Sequence, residues 1–135
     1  MMETGAEPVW LNRQIVEALH EMQLRMFGGP AGLRDSGALE SALGRPLNRW
    51  AYNTADLADL ADLASAYAFG IARNHPFIDG NKRTSLMAIV TFLGLNDIDF
   101  VVPEAEAAAA ILGLAAGEIS EESLARWIRD RLPPG

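Results

Sequence analysis

Apolar residues recur at intervals of three and four along nearly the whole of this 135-residue chain. The first such series consists of Ile15, Leu19, Met22 and Met26. This spacing places side chains on one face of an α-helix, where residues three and four apart are neighbours. No segment gives a strong strand signal in competition with it. The pattern therefore predicts an all-α helical bundle that forms a single domain over residues 1–135.

Later segments refine this expectation. The stretch Leu86–Leu95 is apolar on all sides, which is typical of a helix at the centre of a domain. A helix is also predicted from about Thr54 to Asn74. Before it, Asp35 or Ser36 is expected to cap a short helix that Pro46 ends, because proline lacks the N–H that a helix interior needs.

Composition and charge exclude several classes of protein. The chain has no cysteine, so it has no disulfide framework and no thiolate metal site. Its net charge of −7 argues against binding a nucleic-acid backbone, which needs a basic face. Residues 1–8 lack the features of a signal peptide, and no apolar run approaches the ~20 residues of a membrane span. We therefore expect a cytoplasmic protein without nucleic-acid or membrane binding of its own, with frayed tails at 1–8 and 133–135.

One connection between predicted helices, residues 75–83, has an unusual content. It holds a histidine, a carboxylate, an amide and two cations, and it leads directly into a helix. The first N–H groups of a helix lack intrahelical partners and carry partial positive charge, so they can bind a phosphate. Lys82 and Arg83 would add full charges, and Gly80 would let the backbone approach the anion closely.

Two further side chains of this connection suit phosphoryl transfer. The imidazole of His75 can accept a proton at neutral pH. The carboxylate of Asp79 is a hard oxygen ligand of the kind that Mg²⁺ prefers. A base, a metal carboxylate and a phosphate cradle are the parts that phosphoryl transfer needs. From the residue types alone, a capped loop with a hydrogen-bonded histidine and solvated cations stays open as an alternative.

The run from His75 to Thr84, HPFIDGNKRT, resembles the signature of the Fic/death-on-curing superfamily, His-x-Phe-x-Asp/Asn-Gly/Ala-Asn-Lys/Gly-Arg, over its whole length. Shorter stretches also resemble death-on-curing proteins; they are Leu19–His20, Phe27–Gly29, Gly32–Asp35, Leu39–Leu43, Ala66–Ala72 and Gly117–Ser120. The likeness spans about Val9 to Ile128. It implies the all-α Fic bundle, in agreement with the helical pattern.

The resemblance also implies an activity. Members of the wider Fic group have glycine where this chain has Lys82, and they typically transfer AMP from ATP. The lysine form is that of the death-on-curing branch, whose best-known activity transfers the terminal phosphate of ATP to elongation factor Tu. The resemblance thus implies an ATP- and Mg²⁺-dependent phosphotransferase that blocks translation. A protein adenylyltransferase and a catalytically silent binding module stay open as alternatives.

Proteins of this branch act as toxins of type II toxin–antitoxin systems. Each is held inactive by an antitoxin, usually a small protein whose C-terminal segment folds into a groove of the toxin. We expect such a partner for this chain, together with the target protein.

Carried over by position, the resemblance assigns His75 as the general base and Asp79 as the ligand of Mg²⁺. Phosphate binding is assigned to Gly80, Asn81, Lys82 and Arg83. Phe77 is implied to anchor the loop in the core and to take no part in the chemistry.

Four other residues have two interpretations each. Arg73 either reaches the site from the end of the preceding helix or serves as a helix C-terminal cation. His20 is interpreted as a packed, hydrogen-bonded histidine in preference to a site residue. Arg34 and Asp35 either border the groove for the target or form an ion pair or a helix cap.

Overall fold

The computed structural model describes residues 7–52 and 59–134. The α-helices within these ranges are α1 Arg13–Phe27, α2 Ser36–Tyr52, α3 Leu60–Asn74, α4 Asn81–Leu95, α5 Glu104–Ala115 and α6 Glu121–Asp130. The predicted all-α fold is confirmed. None of the helices in the described part is long and apolar enough to cross a membrane. The frayed ends stay a prediction, since residues 1–6 and 135 lie outside the description.

The helix at the centre is α3, which packs against α2, α4, α5 and α6. Its buried residues lie on every side of the helix and are mostly small; they are Ala61, Leu63, Ala64, Ser65, Ala66, Tyr67, Ala68, Gly70, Ile71 and Ala72. Gly70 approaches α2 so closely that a Cβ built on it would lie 2.8 Å from the Cα of Ala42. Small side chains therefore let several neighbours surround α3.

The prediction that Leu86–Leu95 forms the central helix was wrong. This segment lies in α4, where Val90 is 42% and Leu95 is 40% exposed. An apolar sequence alone does not place a helix at the centre, because a central helix also needs room for neighbours on all sides. The alanine, glycine and serine residues of α3 provide that room.

The prediction that Pro46 ends a short helix was also wrong. Helix α2 continues through Pro46 to Tyr52. Proline removes one hydrogen bond from the helix interior. However, Pro46 is itself buried, and Trp50 in the following turn packs against the core. Tertiary packing therefore outweighs the local cost. The cap is Asp35, whose Oδ1 accepts a hydrogen bond from the N–H of Ala38 at 3.0 Å.

Helix α3 begins at a capping box. The side chain of Asp59 accepts a hydrogen bond from the N–H of Asp62 at 2.8 Å, and Asp62 accepts one from Asp59 at 3.3 Å. The predicted start of this helix near Thr54 lies outside the described residues. Its predicted end at Asn74 is confirmed.

The buried face of α1 is rotated relative to the predicted series. The buried residues are Val16, Leu19, His20 and Gln23. Met22 and Met26 are 48% and 66% exposed, so the prediction was wrong for both. Two polar side chains, His20 and Gln23, point inward because α1 packs against the polar loop between α3 and α4.

Candidate active site

The loop from His75 to Gly80 joins α3 to α4. His75 ends α3 in the left-handed conformation, with φ 50° and ψ 57°, and its N–H donates to the carbonyl of Ile71 at 3.3 Å. Residues other than glycine adopt this conformation uncommonly, and such positions cluster at functional sites. The turn leaves the side chain of His75 exposed at the start of the loop.

A second loop, residues 32–35, fixes the backbone of the first. Leu33 and Phe77 form an isolated antiparallel bridge. The carbonyl of Pro76 accepts hydrogen bonds from the N–H groups of Arg34 at 2.7 Å and Asp35 at 3.0 Å. The first loop is therefore held from outside by main-chain bonds.

The side chain of Arg34 strengthens this clamp. Its guanidinium donates to the carbonyl oxygens of His75 at 2.6 Å and Asn74 at 2.7 Å. These carbonyls lie at the C-terminal end of α3, where a cation is favourable. Asp35 is a helix cap, one of the interpretations given above, whereas Arg34 holds the loop, a role that none of them gave it.

The ring of Phe77 anchors the loop from inside. Phe77 is 2% exposed and stacks on His20, with the ring centroids 3.8 Å apart and the planes 7° from parallel. Nε2 of His20 lies 2.7 Å from the carbonyl oxygen of Asp79. Because a carbonyl can only accept, Nε2 carries the proton. The interpretation of His20 as a packed, hydrogen-bonded histidine is confirmed.

The side chain of Asn81 holds the loop closed. Its Oδ1 accepts from the N–H of Phe77 at 3.0 Å, and its Nδ2 donates to the carbonyl of Phe77 at 2.9 Å. Asn81 is 7% exposed. The side-chain amide of Asn81 is therefore engaged with the loop, and the phosphate contact predicted for Asn81 stays a prediction.

The first turn of α4 is open to an anion. The first hydrogen bond of the helix runs from the N–H of Thr84 to the carbonyl of Gly80 at 2.9 Å. The N–H groups of Asn81, Lys82 and Arg83 thus have no intrahelical partner. Gly80 offers no side-chain cap, and the first turn contains no acidic residue. Lys82 and Arg83 are both exposed there.

Gly80 is required by its surroundings as well as by its backbone. Its φ is 83°, a conformation that favours glycine. A Cβ built on Gly80 would also overlap the side-chain amide of Gln23. The missing side chain therefore makes room for α1, whereas the sequence interpretation had assigned that room to the anion.

A pocket of about 480 Å³ opens above this turn. Its lining residues are His75, Ile78, Asp79, Gly80, Asn81, Lys82, Arg83, Leu86, Ala108, Ile111 and Leu112. The charged lining residues come from the loop and the start of α4, and the apolar ones come mainly from α5. The volume lies in the range of small-molecule sites.

Asp79 is the carboxylate of this pocket, and it is exposed. Within residues 7–52 and 59–134, no group of three or more His, Cys, Asp or Glu side chains is placed to hold a metal. A single carboxylate suits Mg²⁺, which keeps several waters and is shared with substrate phosphates.

The family model described as the Fic/DOC family matches residues 10–93, which include the whole loop, all of α3 and most of α4. The chain belongs to the Fic/DOC family. "Protein kinase doc" of Escherichia phage P1 is 38% identical over 112 residues, which cover 83% of this chain and 86% of the relative. "Toxin Doc" of Mycolicibacterium smegmatis is 42% identical over 84 residues, covering 59% of this chain and 64% of the relative.

One predicted residue of this Fic/DOC chain lies elsewhere. Arg73 lines a second depression beside the start of α6, and its guanidinium carbon lies 5.3 Å from the centroid of the Phe69 ring. His75, the cap of α3, lines the pocket above the start of α4, and Arg73 is not among the residues that line that pocket. The structure therefore does not bring Arg73 together with the predicted phosphate ligands.

Two residues of α1, Gln23 and Phe27, and Gly29 just beyond its end contact residues 79–83, and the sequence interpretation gave none of the three a role. Gln23 lies against Gly80, and a Cβ built on Gly29 would overlap the carboxylate of Asp79. The guanidinium carbon of Arg83 lies 4.3 Å from the centroid of the Phe27 ring. The available signal was the spacing of His20, Gln23 and Phe27, which places polar and aromatic side chains on one helix face.

Proposed function

We propose that this Fic/DOC chain is an ATP- and Mg²⁺-dependent protein phosphotransferase that acts as the toxin of a type II toxin–antitoxin pair. The observation that carries the proposal is one pocket lined by a histidine, a carboxylate and an open, cationic helix start. These are the parts that phosphoryl transfer uses to position its reactants and to stabilise charge.

In this proposal the residues have distinct roles. His75 accepts the proton of a hydroxyl group on the target protein as that oxygen attacks the terminal phosphorus of ATP. The bond from this phosphorus to ADP breaks, and ADP leaves. The N–H groups of Asn81, Lys82 and Arg83, with the cations of Lys82 and Arg83, hold the phosphate oxygens. Asp79 would hold Mg²⁺, which neutralises phosphate charge when it is bound.

The apolar wall of the pocket favours a nucleotide over a simple phosphate. The apolar lining residues are Leu86 of α4 and Ala108, Ile111 and Leu112 of α5. Leu112 is 57% exposed, so its side chain is available to a ligand. An aromatic base can pack on such a surface while its phosphates reach the start of α4.

Lys82 favours transfer of the terminal phosphate over transfer of AMP. A lysine brings a compact charge on a flexible stem into a cradle where the adenylyltransferases of the superfamily have glycine. This change favours a pose with the terminal phosphate near His75. The similarity to the protein named "Protein kinase doc" supports the same choice.

For the target we propose a translation factor, elongation factor Tu, as the death-on-curing resemblance implies. The inhibitor is an antitoxin whose C-terminal segment occupies a groove of this chain. The similarity to the protein named "Toxin Doc" supports the toxin assignment.

The test uses ATP labelled separately at the α and γ positions, with elongation factor Tu as acceptor. We expect only the γ label to be transferred, and we expect Lys82→Gly to weaken this transfer strongly. Transfer of only the α label would replace the proposal with an adenylyltransferase. Full γ transfer by Lys82→Gly would leave the kinase assignment standing and contradict the role given to Lys82.

A further inference from the structure

Arg83 is held by an aromatic ring. Its guanidinium carbon lies 4.3 Å from the centroid of Phe27, a distance at which a cation is attracted to the ring face. Among the described residues, no carboxylate lies within ion-pair distance of Arg83. The ring therefore orients the guanidinium and leaves its charge uncompensated.

This kind of support suits an arginine that must bind an anion. A carboxylate partner would compete with phosphate for the guanidinium donors, which lie in the plane of the group. A ring face attracts the cation without accepting strong hydrogen bonds from those donors. The side chain is thus ordered before the anion binds, and less conformational freedom is lost on binding.

The position of Phe27 relative to α4 is fixed by the preceding turns of α1. The amide of Gln23 is fully buried against Gly80, and Nε2 of His20 bonds the carbonyl of Asp79. Phe27 lies four residues beyond Gln23, on the same face of the helix. The helix ends immediately after it, at Gly28 with φ 81°.

We propose that Phe27 is a positioning residue that holds the guanidinium of Arg83 at the start of α4, in the orientation that binds substrate phosphate. The inference rests on the proposed function only in taking the anion to be the phosphate chain of ATP. Phe27 is 53% exposed, so its replacement leaves the core intact.

The first experiment measures the affinity for ATP with Mg²⁺, and for pyrophosphate alone, by calorimetry. Phe27→Leu keeps an apolar side chain and removes the ring face. Its dissociation constants are expected to rise about two- to fivefold, the change that a loss of about 0.5–1 kcal/mol gives. Phe27→Tyr keeps the face and is expected to restore wild-type affinity. Met26→Leu, which is 66% exposed at the neighbouring position, is the matched control.

A double-mutant cycle separates positioning from a structural role. If Phe27 acts through Arg83, Phe27→Leu has no further effect on affinity in an Arg83→Ala background. Equal effects of Phe27→Leu in both backgrounds would overturn the inference. Tighter binding by Phe27→Leu would overturn it as well, because the ring would then draw Arg83 away from the phosphate.

A second experiment does not depend on the proposed function. In the protein without nucleotide, the Arg83 side-chain protons should show ring-current shifts in NMR spectra, and Phe27→Leu should remove them. Absence of these shifts in the wild-type chain would overturn the inference. A wild-type chain that shows the shifts and binds pyrophosphate but not ATP would contradict the proposed function alone.

Discussion

The first turn of α6 carries partners for its own backbone and dipole, whereas the first turn of α4 does not. At α6, the Oγ of Ser120 accepts a hydrogen bond from the N–H of Ser123 at 3.0 Å. Glu121 and Glu122 follow in the first turn, where negative charge is favourable. At α4, the cap position is Gly80, and the first turn carries cations and no acid.

The difference distinguishes a helix end that is stabilised by its own residues from one that is open to a ligand. Cations near a helix N-terminus oppose the dipole, so the start of α4 is less stable than it would be with acidic residues in its first turn. Clamping by the 32–35 loop and by Asn81 holds this end in place. A phosphate would satisfy both the open N–H groups and the cations. The end without internal partners is therefore the candidate phosphate site.

The largest expected effect is on catalysis. His75→Ala should lower the rate of phosphate transfer by about 10²–10⁴-fold, since it removes the general base. Circular dichroism should show an intact fold, because the side chain of His75 is exposed. Ser120→Ala, at the start of α6, should transfer phosphate at the wild-type rate and is the control. Growth arrest by cells that express folded His75→Ala would contradict the assignment.

Substitutions at the start of α4 and in the loop before it should weaken nucleotide binding, whereas a substitution at Arg73 should not. Arg83→Ala should weaken ATP binding by about 10–100-fold, the range for a charged hydrogen bond. Asp79→Asn should abolish the dependence of affinity on Mg²⁺. Arg73→Ala is the matched control and should bind ATP as the wild type does. If Arg73→Ala weakens binding as much as Arg83→Ala, the assignment of the site to one side of α3 fails.

Removing the cap of α6 should affect stability alone. Ser120→Ala is expected to lower the free energy of unfolding by about 1 kcal/mol, since it removes the side chain that accepts from Ser123. Denaturant unfolding measures this loss, and calorimetry should give an unchanged affinity for ATP. A changed affinity would contradict the description of this helix end as structural.

The smallest expected effect is a gain in the free energy of unfolding, opposite in sign to the loss expected for Ser120→Ala. Lys82→Glu should raise the free energy of unfolding of the nucleotide-free protein by about 0.3–1 kcal/mol, because it places an acid in the first turn of α4. The same change should weaken ATP binding, since it reverses a charge in the phosphate cradle. A variant that is less stable than the wild type would show that Lys82 has a structural partner.

The sequence predicted the parts of this molecule that depend on local signals. The predicted end of α3 at Asn74 and the predicted cap of α2 at Asp35 both follow from residues close by in the chain. The residues of the 75–83 loop were found because their types and order are specific. Their gathering in one pocket follows from the turn and from the start of α4.

Long-range packing accounts for the predictions that failed. The centre of the bundle is decided by which helix has small residues on all sides, whereas the prediction of α4 rested on Leu86–Leu95 being apolar on all sides. Pro46 is tolerated because of tertiary contacts that no local rule contains. The contact of Phe27 with Arg83 joins residues far apart in sequence, so a pattern along the chain cannot reveal it.

The most direct test of the account is an NMR titration of the nucleotide-free chain with ATP and Mg²⁺, followed through the backbone amides. We predict that the signals of residues 81–83 shift in a saturable way, while those of residues 121–123 at the start of α6 do not. His75→Ala should give the same shifts, since binding and proton transfer are separate. Shifts at the start of α6, or none at 81–83, would contradict the claim that the open end of α4 is the phosphate site.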